Sequence, residues 1–498
     1  MIQKIKYLIL LSFAVMLTTS CNKWLELKPQ DGIIRQDFWK TKEDVNAAVL
    51  GCYASLFNTT SSLFIWGEIR GDMLGTTLKT TSEQLDIING NILSSNSITK
   101  WNVIYQTINY CNTVIDFAPL ALTTDQTFKQ ADLNAAIAQV RALRALMYFD
   151  LLRTFGEVPL KLKATSSDAD LVQLAKNTKK EVYDQIVADL TFAEQNAPLT
   201  YGDRIGDKGK MTRYAINSLQ ADVYLWGEDY PNCITACNKV IASNQFGLIS
   251  GKNFDGSVNS QWFNTVFYNG NSNESIFEFQ YNSTVLNPFY NLFISSSKQF
   301  TGSAIVMDQV YTVDLIDDQN KDIRGDLCSI KAGDLTIWKF AGADNVKNLR
   351  KAETSYAHWF VYRYSDILLM KAEALAWTER GQEALDLVNV IRTRANALPA
   401  TLMNPDPTSA VDVTDYIMAE RQREFAFEGK RWFDILRNAK RNNYAHLDYL
   451  LSIETDIAPS DKQTFIINKY KDVRSHYLPI NIYEIQTDKN LIQNPFYQ

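Results

Sequence analysis

Three glutamates spaced four residues apart form the densest group of potentially catalytic side chains in the sequence: Glu420, Glu424 and Glu428. On a helix this spacing places them on one face, with Arg421 and Arg423 interleaved. Such a group can act as general acid and base, or it can be an ion-pair network that holds the helix against its neighbours. Because ion-pair networks are more common than active sites, the sequence favours the structural interpretation.

Other catalytic signatures are absent from the sequence. The histidines His358, His446 and His476 lie far apart without the spacing of a zinc-binding helix, and there is no Gly-x-Ser-x-Gly motif. Residues 206–211 hint at a phosphate-binding loop, but Met211 stands where a Ser or Thr would bind magnesium. We therefore predict no enzyme, no cofactor and no metal site. A helical glycoside hydrolase stays an alternative, since a sequence does not give the separation of two carboxylates.

The composition is that of a globular protein with an acidic balance. Of 498 residues, 46% are hydrophobic, 21% are charged and 12% are aromatic, and the formal net charge is −6. An acidic chain repels phosphate backbones and is not drawn to anionic lipid, so we predict no nucleic-acid partner and no electrostatic attachment to a membrane.

The first twenty residues have the features of a targeting segment. Lys4 and Lys6 precede an apolar run over residues 7–17, and small residues then lead directly to Cys21. This order resembles the site at which lipoprotein signal peptidase cuts, although the usual Leu three places before the Cys is replaced by Thr18. We predict a lipoprotein signal peptide over residues 1–20 and a lipidated Cys21 that anchors the mature protein to a membrane.

Five cysteines follow Cys21, and an odd number excludes complete pairing. Cys233 and Cys237 share a helical face, but no His or third Cys lies near them in the sequence to complete a metal site. We predict that these cysteines are buried thiols that act as small apolar groups.

Apolar residues recur at helical spacing along most of the chain, which predicts a mainly α-helical fold. Residues 42–57 and 101–116 show this pattern, and 133–153 show it most clearly before Gly156 and Pro159. Two later stretches read as helix, turn and helix with small residues at the crossing points, which is typical of tetratricopeptide repeats. These predicted helix pairs cover 212–226 with 231–241, and 364–377 with 381–391.

Residues 245–345 differ in composition from the predicted helices. They are rich in Asn, Ser, Gly and aromatic residues, with short alternating pieces such as residues 276–281. This pattern predicts short strands and long ordered loops, inserted into a helical scaffold. Loops carried by a rigid scaffold are common binding sites, so the insert is a candidate for ligand binding.

Four long motifs and the start of the predicted mature chain resemble the SusD/RagB family. The resemblance runs through the chain in order and is carried by residues 21–25, 141–160, 363–374, 420–437 and 477–495. It implies a SusD-like fold that forms a single domain over residues 21–498. It also implies that the helical motifs are scaffold, in agreement with a structural role for Arg144 and Glu424.

The resemblance carries further expectations about function. Members of this family are outer-membrane lipoproteins that cap a SusC-type TonB-dependent transporter. They bind oligosaccharides, or peptides in some branches, and pass them to the transporter without catalysis. The sequence alone leaves open a third class, a protein-interaction scaffold that uses only the repeat-like helix pairs.

The ligand-binding residues must be argued from chemistry, because in this family they vary with the ligand. Sugar rings have apolar faces and polar rims, which suit exposed aromatic rings flanked by polar groups. Two regions fit, and we predict ligand contacts from Trp66, Arg70 and Asp72 in the first and from Trp262 and Tyr290 in the insert. Core packing is the alternative for each aromatic ring.

Overall fold

A computed structural model describes residues 38–255, 257–317, 320–344 and 346–498. The predicted signal peptide and Cys21 lie outside these residues, so the prediction of a lipid anchor stays a prediction. Within the described chain the structure is mainly helical, as the sequence predicts.

Helices account for most of the described residues. The N-terminal half contains α1 (Lys42–Leu56), α2 (Thr60–Glu68), α3 (Ser82–Ile88), α4 (Asn102–Phe117), α5 (Ala121–Thr124), α6 (Gln130–Phe155), α7 (Lys179–Asn196), α8 (Arg204–Gly209), α9 (Arg213–Trp226) and α10 (Tyr230–Ala242). The remainder contains α11 (Phe289–Phe293), α12 (Tyr364–Ala376), α13 (Gly381–Arg394), α14 (Ala410–Glu424), α15 (Arg431–Tyr444), α16 (Leu447–Ile457), α17 (Gln463–Tyr470) and α18 (Ile482–Thr487). The backbone leaves helical geometry at Arg441, within α15.

Strands are short and pair in twos. They are β1 (Leu74–Thr76), β2 (Ser275–Phe279), β3 (Phe300–Gly302), β4 (Ile330–Lys331), β5 (Thr336–Ile337) and β6 (Trp359–Arg363). The antiparallel pairs are β1–β3, β2–β6 and β4–β5, and the first two begin at Leu74 opposite Gly302 and at Ser275 opposite Arg363. The prediction of short strands in the insert is confirmed, and two of the three pairs attach the insert to strands of the scaffold.

Local sequence explains where the main helices begin and end. The α6 helix ends before Gly156, whose φ of 78° lies in the left-handed region that glycine adopts without steric cost. The α9 helix begins after Thr212, whose side chain accepts a hydrogen bond from the backbone N–H of Ala215. The α9–α10 and α12–α13 pairs pack closely, which confirms the two repeat-like helix pairs.

The interior is one large apolar core with a smaller neighbour. Buried side chains of the main core extend from Trp39 to Leu491, and a second cluster lies among α12, α13 and α14. The five cysteines after Cys21 are buried and unpaired, as predicted.

One helical stretch of the described chain, Lys42–Glu68, is long and apolar enough to cross a membrane on length and composition alone. It comprises α1 and α2, and its side chains Val49, Cys52 and Phe64 are buried in the main core. Core packing therefore accounts for its apolar character.

Arg144 is a buried anchor between helices. Its guanidinium donates to both carboxylate oxygens of Asp189 on α7, at 2.8 and 2.7 Å, and to Oδ1 of Asn112 on α4 at 2.7 Å. Both charged side chains are almost fully excluded from solvent. This bidentate pair joins three helices and confirms the structural role inferred from the sequence.

The glutamates of α14 and the turn after it belong to a buried ion-pair network. Glu424 accepts hydrogen bonds from Arg363 at 2.8 Å and from Arg324 at 3.0 Å, and it also pairs with Arg394. These cations hold the pKa of Glu424 well below its usual range, although burial alone would raise it. The network connects the insert with the scaffold, so the structural interpretation of this charged helix is confirmed.

Candidate functional site

The first predicted ligand region is buried, and the prediction is wrong for its three residues. The Trp66 ring is 1% exposed, donates from Nε1 to the Ile98 carbonyl at 2.8 Å and packs edge-on against Phe155. Residues 60–68 are helical and not a loop, which turns this ring into the core. The neighbouring polar side chains are also enclosed.

Arg70 and Asp72 have structural partners. Arg70 donates to the His476 carbonyl at 2.7 Å and lies over the Trp432 ring, with its central carbon 4.2 Å from the ring centroid. Asp72 accepts two hydrogen bonds from Arg431, each 2.7 Å long. Neither side chain is free to contact a ligand.

Of the two ligand contacts predicted in the insert, Trp262 is buried and Tyr290 is partly exposed. The Trp262 ring is 3% exposed, with the Arg394 guanidinium over it and Phe267 against its edge, so the prediction of a ligand contact is wrong for Trp262. Tyr290, in the short helix α11, is half-buried. Part of its side chain is exposed to solvent, and its contact with a ligand stays a prediction.

A cleft of about 550 Å³ lies where the insert meets the helical scaffold. We call it the Tyr214 cleft; it is lined by Leu199, Thr200, Gly202, Asp203, Arg204, Asp207, Lys208, Thr212, Tyr214, Gln245, Phe246 and Asn273. The rings of Tyr214 and Phe246 meet edge to face, with centroids 5.6 Å apart and planes at 80°. Both rings are half-buried, so each has an anchored side and an open side.

The scaffold wall of the cleft is held by local hydrogen bonds. Asp203 caps α8 by accepting from the Gly206 N–H at 2.7 Å, and Asp207 accepts from the Thr200 hydroxyl at 2.9 Å and the Tyr201 N–H at 2.5 Å. The carboxylates that line the cleft are therefore engaged in fixing its wall.

Lys208 forms part of the cleft floor. Its side chain is 7% exposed, its ammonium donates to the Ser275 carbonyl at 2.5 Å, and it lies 4.3 Å from the centroid of the Phe246 ring. Burial lowers the pKa of Lys208 to about 8, because the nearby carboxylates do not compensate for the lost hydration. The cleft thus combines aromatic edges with a desolvated cation.

A smaller cleft of about 280 Å³ lies on the other side of α8 and shares Asp203 with the first. It is lined partly by Tyr53, Phe57 and Gln280. In the part of the chain that the structure describes, no group of three or more His, Cys, Asp or Glu side chains is arranged to hold a metal ion.

Family models match both ends of this fold. A model described as "SusD family" matches residues 331–497, and one described as "Starch-binding associating with outer membrane" matches residues 23–225. The chain belongs to the SusD/RagB family. SusD-like proteins bind glycans at the cell surface and are non-catalytic.

Relatives in the SusD/RagB family align along most of the chain. SusD-like protein P38 of Formosa agariphila is 27% identical over 485 residues, which cover 88% of this chain and 91% of that protein. SusD-like protein P2 of the same organism is 27% identical over 480 residues, covering 86% and 90%. The similarity to these SusD-like proteins therefore extends over nearly the full length of each.

Solved SusD superfamily structures share the fold. One from Bacteroides vulgatus has a TM-score of 0.74 at 20% identity and covers 92% of this chain and 100% of its own. NanU of B. fragilis has a TM-score of 0.69 at 22% identity and covers 95% and 100%. The SusD-like fold predicted from the motifs is confirmed.

The residues of the Tyr214 cleft are not among those predicted from the sequence to contact a ligand. Lys208 lies within residues 206–211, which were considered only as a phosphate loop, and Tyr214 lies in the first turn of a scaffold helix. Phe246 begins the insert, so its region was predicted but its ring was not. A usable signal was the segment 199–212, which is rich in Gly and charged residues and directly precedes the helix that Thr212 caps.

Proposed function

We propose that this protein is a surface lipoprotein that binds an oligosaccharide or polysaccharide in the Tyr214 cleft and delivers it to a SusC-type TonB-dependent transporter. The observation that carries the proposal is the pairing of two half-exposed rings with polar groups at the junction of scaffold and insert. Family membership supports glycan binding, and the two rings and the polar rim support the choice of this cleft.

The geometry of the cleft suits a sugar chain. A sugar ring can place its C–H face against Tyr214, while its hydroxyls reach the polar side chains of Gln245 and Asn273 along the rim. The edge-to-face contact with Phe246 restricts the Tyr214 ring before a ligand arrives. A ring held in advance loses little freedom on binding, which favours affinity.

Replacement of Tyr214 with Ala should weaken glycan binding strongly and leave folding largely intact. Loss of a central ring contact costs on the order of 2 kcal/mol, or about thirtyfold in dissociation constant. The measurement is calorimetric titration of wild type and variant with a glycan that the wild type binds, together with thermal melts. The glycan should also keep its chain length after prolonged incubation.

Two tyrosines serve as comparisons for this test. Tyr110 is 41% exposed on α4 and lines a different, apolar groove, so Tyr110→Ala is the matched control. Tyr290→Ala examines the site predicted from the sequence. If Tyr290→Ala removes binding and Tyr214→Ala does not, the ligand site lies in the insert instead.

Two other outcomes would favour the alternative functions. Shortened glycan after clean repurification would support the hydrolase alternative. Preferential binding of peptides would support the peptide-binding branch of the family.

Replacement of Cys21 with Ala should release the protein from the membrane fraction. The expectation rests on the apolar run at residues 7–17 and the small residues that precede Cys21. Fractionation of cells expressing each form, with detergent phase partitioning, measures the change. Cys52→Ala is the control, because that thiol is buried in α1. A Cys21→Ala protein that stays in the membrane pellet like wild type would contradict lipidation as the anchor.

A further inference from the structure

Two cations, Lys208 and Arg204, and two carboxylates, Asp203 and Asp207, line the Tyr214 cleft, and they differ in how many hydrogen-bond partners they have. The Lys208 ammonium has three N–H donors, and the Ser275 carbonyl is its one hydrogen-bond acceptor among the described residues. The cleft carboxylates differ, since Asp207 already accepts from a hydroxyl and a backbone N–H. Lys208 therefore lines the cleft with donors to spare, whereas both carboxylate oxygens of Asp207 already accept hydrogen bonds.

A second cation reaches the same cleft. Arg204 is exposed in the first turn of α8, and its guanidinium forms no hydrogen bond or ion pair with another side chain in the described parts of the chain. Arginine offers a planar set of donors that matches a carboxylate. The two cations approach the cleft from its floor and from its rim.

We propose that the Tyr214 cleft selects an acidic saccharide, in which the carboxylate of a uronic acid residue binds Lys208 and Arg204 while a sugar ring lies against Tyr214. This inference rests on the proposed function and adds the chemical class of the ligand. A neutral hydroxyl can use the same donors, but a carboxylate forms charge-assisted hydrogen bonds, which are roughly twice as strong as neutral ones. Glu278 on β2 and Asp207 lie near Lys208, but among the described residues neither forms an ion pair with its ammonium, so a ligand carboxylate would be its first direct anionic partner.

Binding of a carboxylate to Lys208 should change the protonation of this side chain, which a fit of shape alone would not do. Above pH 8 much of the free protein carries a neutral Lys208, because its pKa is lowered to about 8. A bound carboxylate favours the ammonium and raises that pKa, so binding takes up a proton. If the pKa rises by about one unit, the uptake at pH 8.5 is roughly 0.5 proton per ligand.

The test uses five oligosaccharides on the full-length mature protein. Three are acidic, made of galacturonate, mannuronate or glucuronate, and two are neutral, made of glucose or xylose. Isothermal titration at pH 8.5 in two buffers of different ionisation enthalpy gives affinity and proton uptake together. We expect at least one uronate oligomer to bind at least tenfold more tightly than both neutral oligomers, with proton uptake and with affinity that falls as salt rises.

Lys208→Met should lower the affinity for that uronate oligomer about tenfold and abolish the proton uptake, because it removes the ammonium and keeps an unbranched side chain of similar length. Lys440→Met is the matched control. Lys440 also donates to a backbone carbonyl, that of Trp226 at 2.6 Å, lies over an aromatic ring and has a pKa lowered to about 8, yet it is not part of the cleft. Its replacement should leave both quantities unchanged.

The results of these titrations distinguish a failure of the acidic ligand from a failure of glycan binding. Neutral oligomers that bind best, with an affinity that depends on Tyr214 and not on Lys208, would overturn the acidic ligand and keep the glycan-binding function. A uronate that binds equally well to Lys208→Met, without proton uptake, would overturn the role of Lys208. If none of the five oligosaccharides binds, the acidic ligand is overturned and the glycan-binding proposal loses its support as well.

Discussion

Replacement of Arg144 with Met is expected to lower the free energy of unfolding by about 3–5 kcal/mol. The change removes both hydrogen bonds to Asp189, which is 0% exposed, and the bond to Oδ1 of Asn112. A buried carboxylate then has lost its main counter-ion, and the helices α4, α6 and α7 lose their common anchor. Urea denaturation followed by circular dichroism measures the effect, and glycan affinity should not change in the folded fraction.

Two further variants show whether the loss of stability in Arg144→Met is due to the burial of the ion pair. Lys180→Met breaks an exposed pair with Asp184 on α7 and should cost less than about 1 kcal/mol. The double variant Arg144→Met with Asp189→Asn removes both charges and should recover part of the loss, because an unpaired buried charge is the larger penalty. Equal effects of Arg144→Met and Lys180→Met would contradict the anchor role.

Replacement of Glu424 with Gln is expected to destabilise the protein by a similar amount, about 3–5 kcal/mol at pH 7. The amide places N–H donors against arginine donors and leaves Arg324, Arg363 and Arg394 without a shared anion. The control is Glu383→Gln, which weakens an exposed pair with Arg380. An effect of Glu424→Gln no larger than that of Glu383→Gln would contradict the network's role.

The effect of Glu424→Gln should depend on pH in a defined direction. The pKa of Glu424 is held well below its ordinary value of 4.5 in the folded protein. Its contribution to stability is therefore present above about pH 4.5 and is lost as the pH falls toward the folded-state pKa. The stability difference between wild type and Glu424→Gln should shrink as the pH is lowered below that value, and denaturation midpoints at several pH values measure it.

The scaffold could be predicted from sequence because its signals are local. Periodic apolar residues located α4 and α6, and Gly156 marked the end of α6. Alternating glutamates and arginines in α14 indicated an ion-pair network. The partners of Glu424, namely Arg324, Arg363 and Arg394, come from distant segments that the sequence pattern does not identify. The apolar periodicity and the helix end, in contrast, depend on neighbours within a few residues in the chain.

The ligand contacts could not be predicted in the same way because exposure depends on distant segments. Trp66 has the chemistry of a sugar platform, but the Ile98 carbonyl and the Phe155 ring enclose it. Tyr214 has the sequence of an ordinary helix residue, and only the folded chain brings Phe246, from the start of the insert, against it in an edge-to-face contact. Residue type indicated what could bind a glycan, and only tertiary packing decides which rings keep an open side.

The strand pairs that attach the insert have a consequence for how its loops can change. Thr76 of β1 lies opposite Phe300 of β3, so the pair closes a chain segment of more than two hundred residues. The entropic cost of closing a flexible segment rises only with the logarithm of its length, by about 0.6 kcal/mol for each doubling. The segment is flexible in the unfolded chain, so residues added to or lost from its loops change the entropic cost of closing the pair on folding only a little. The loops are free to diverge in length and to acquire new ligand contacts, while the strands keep them attached to the same scaffold.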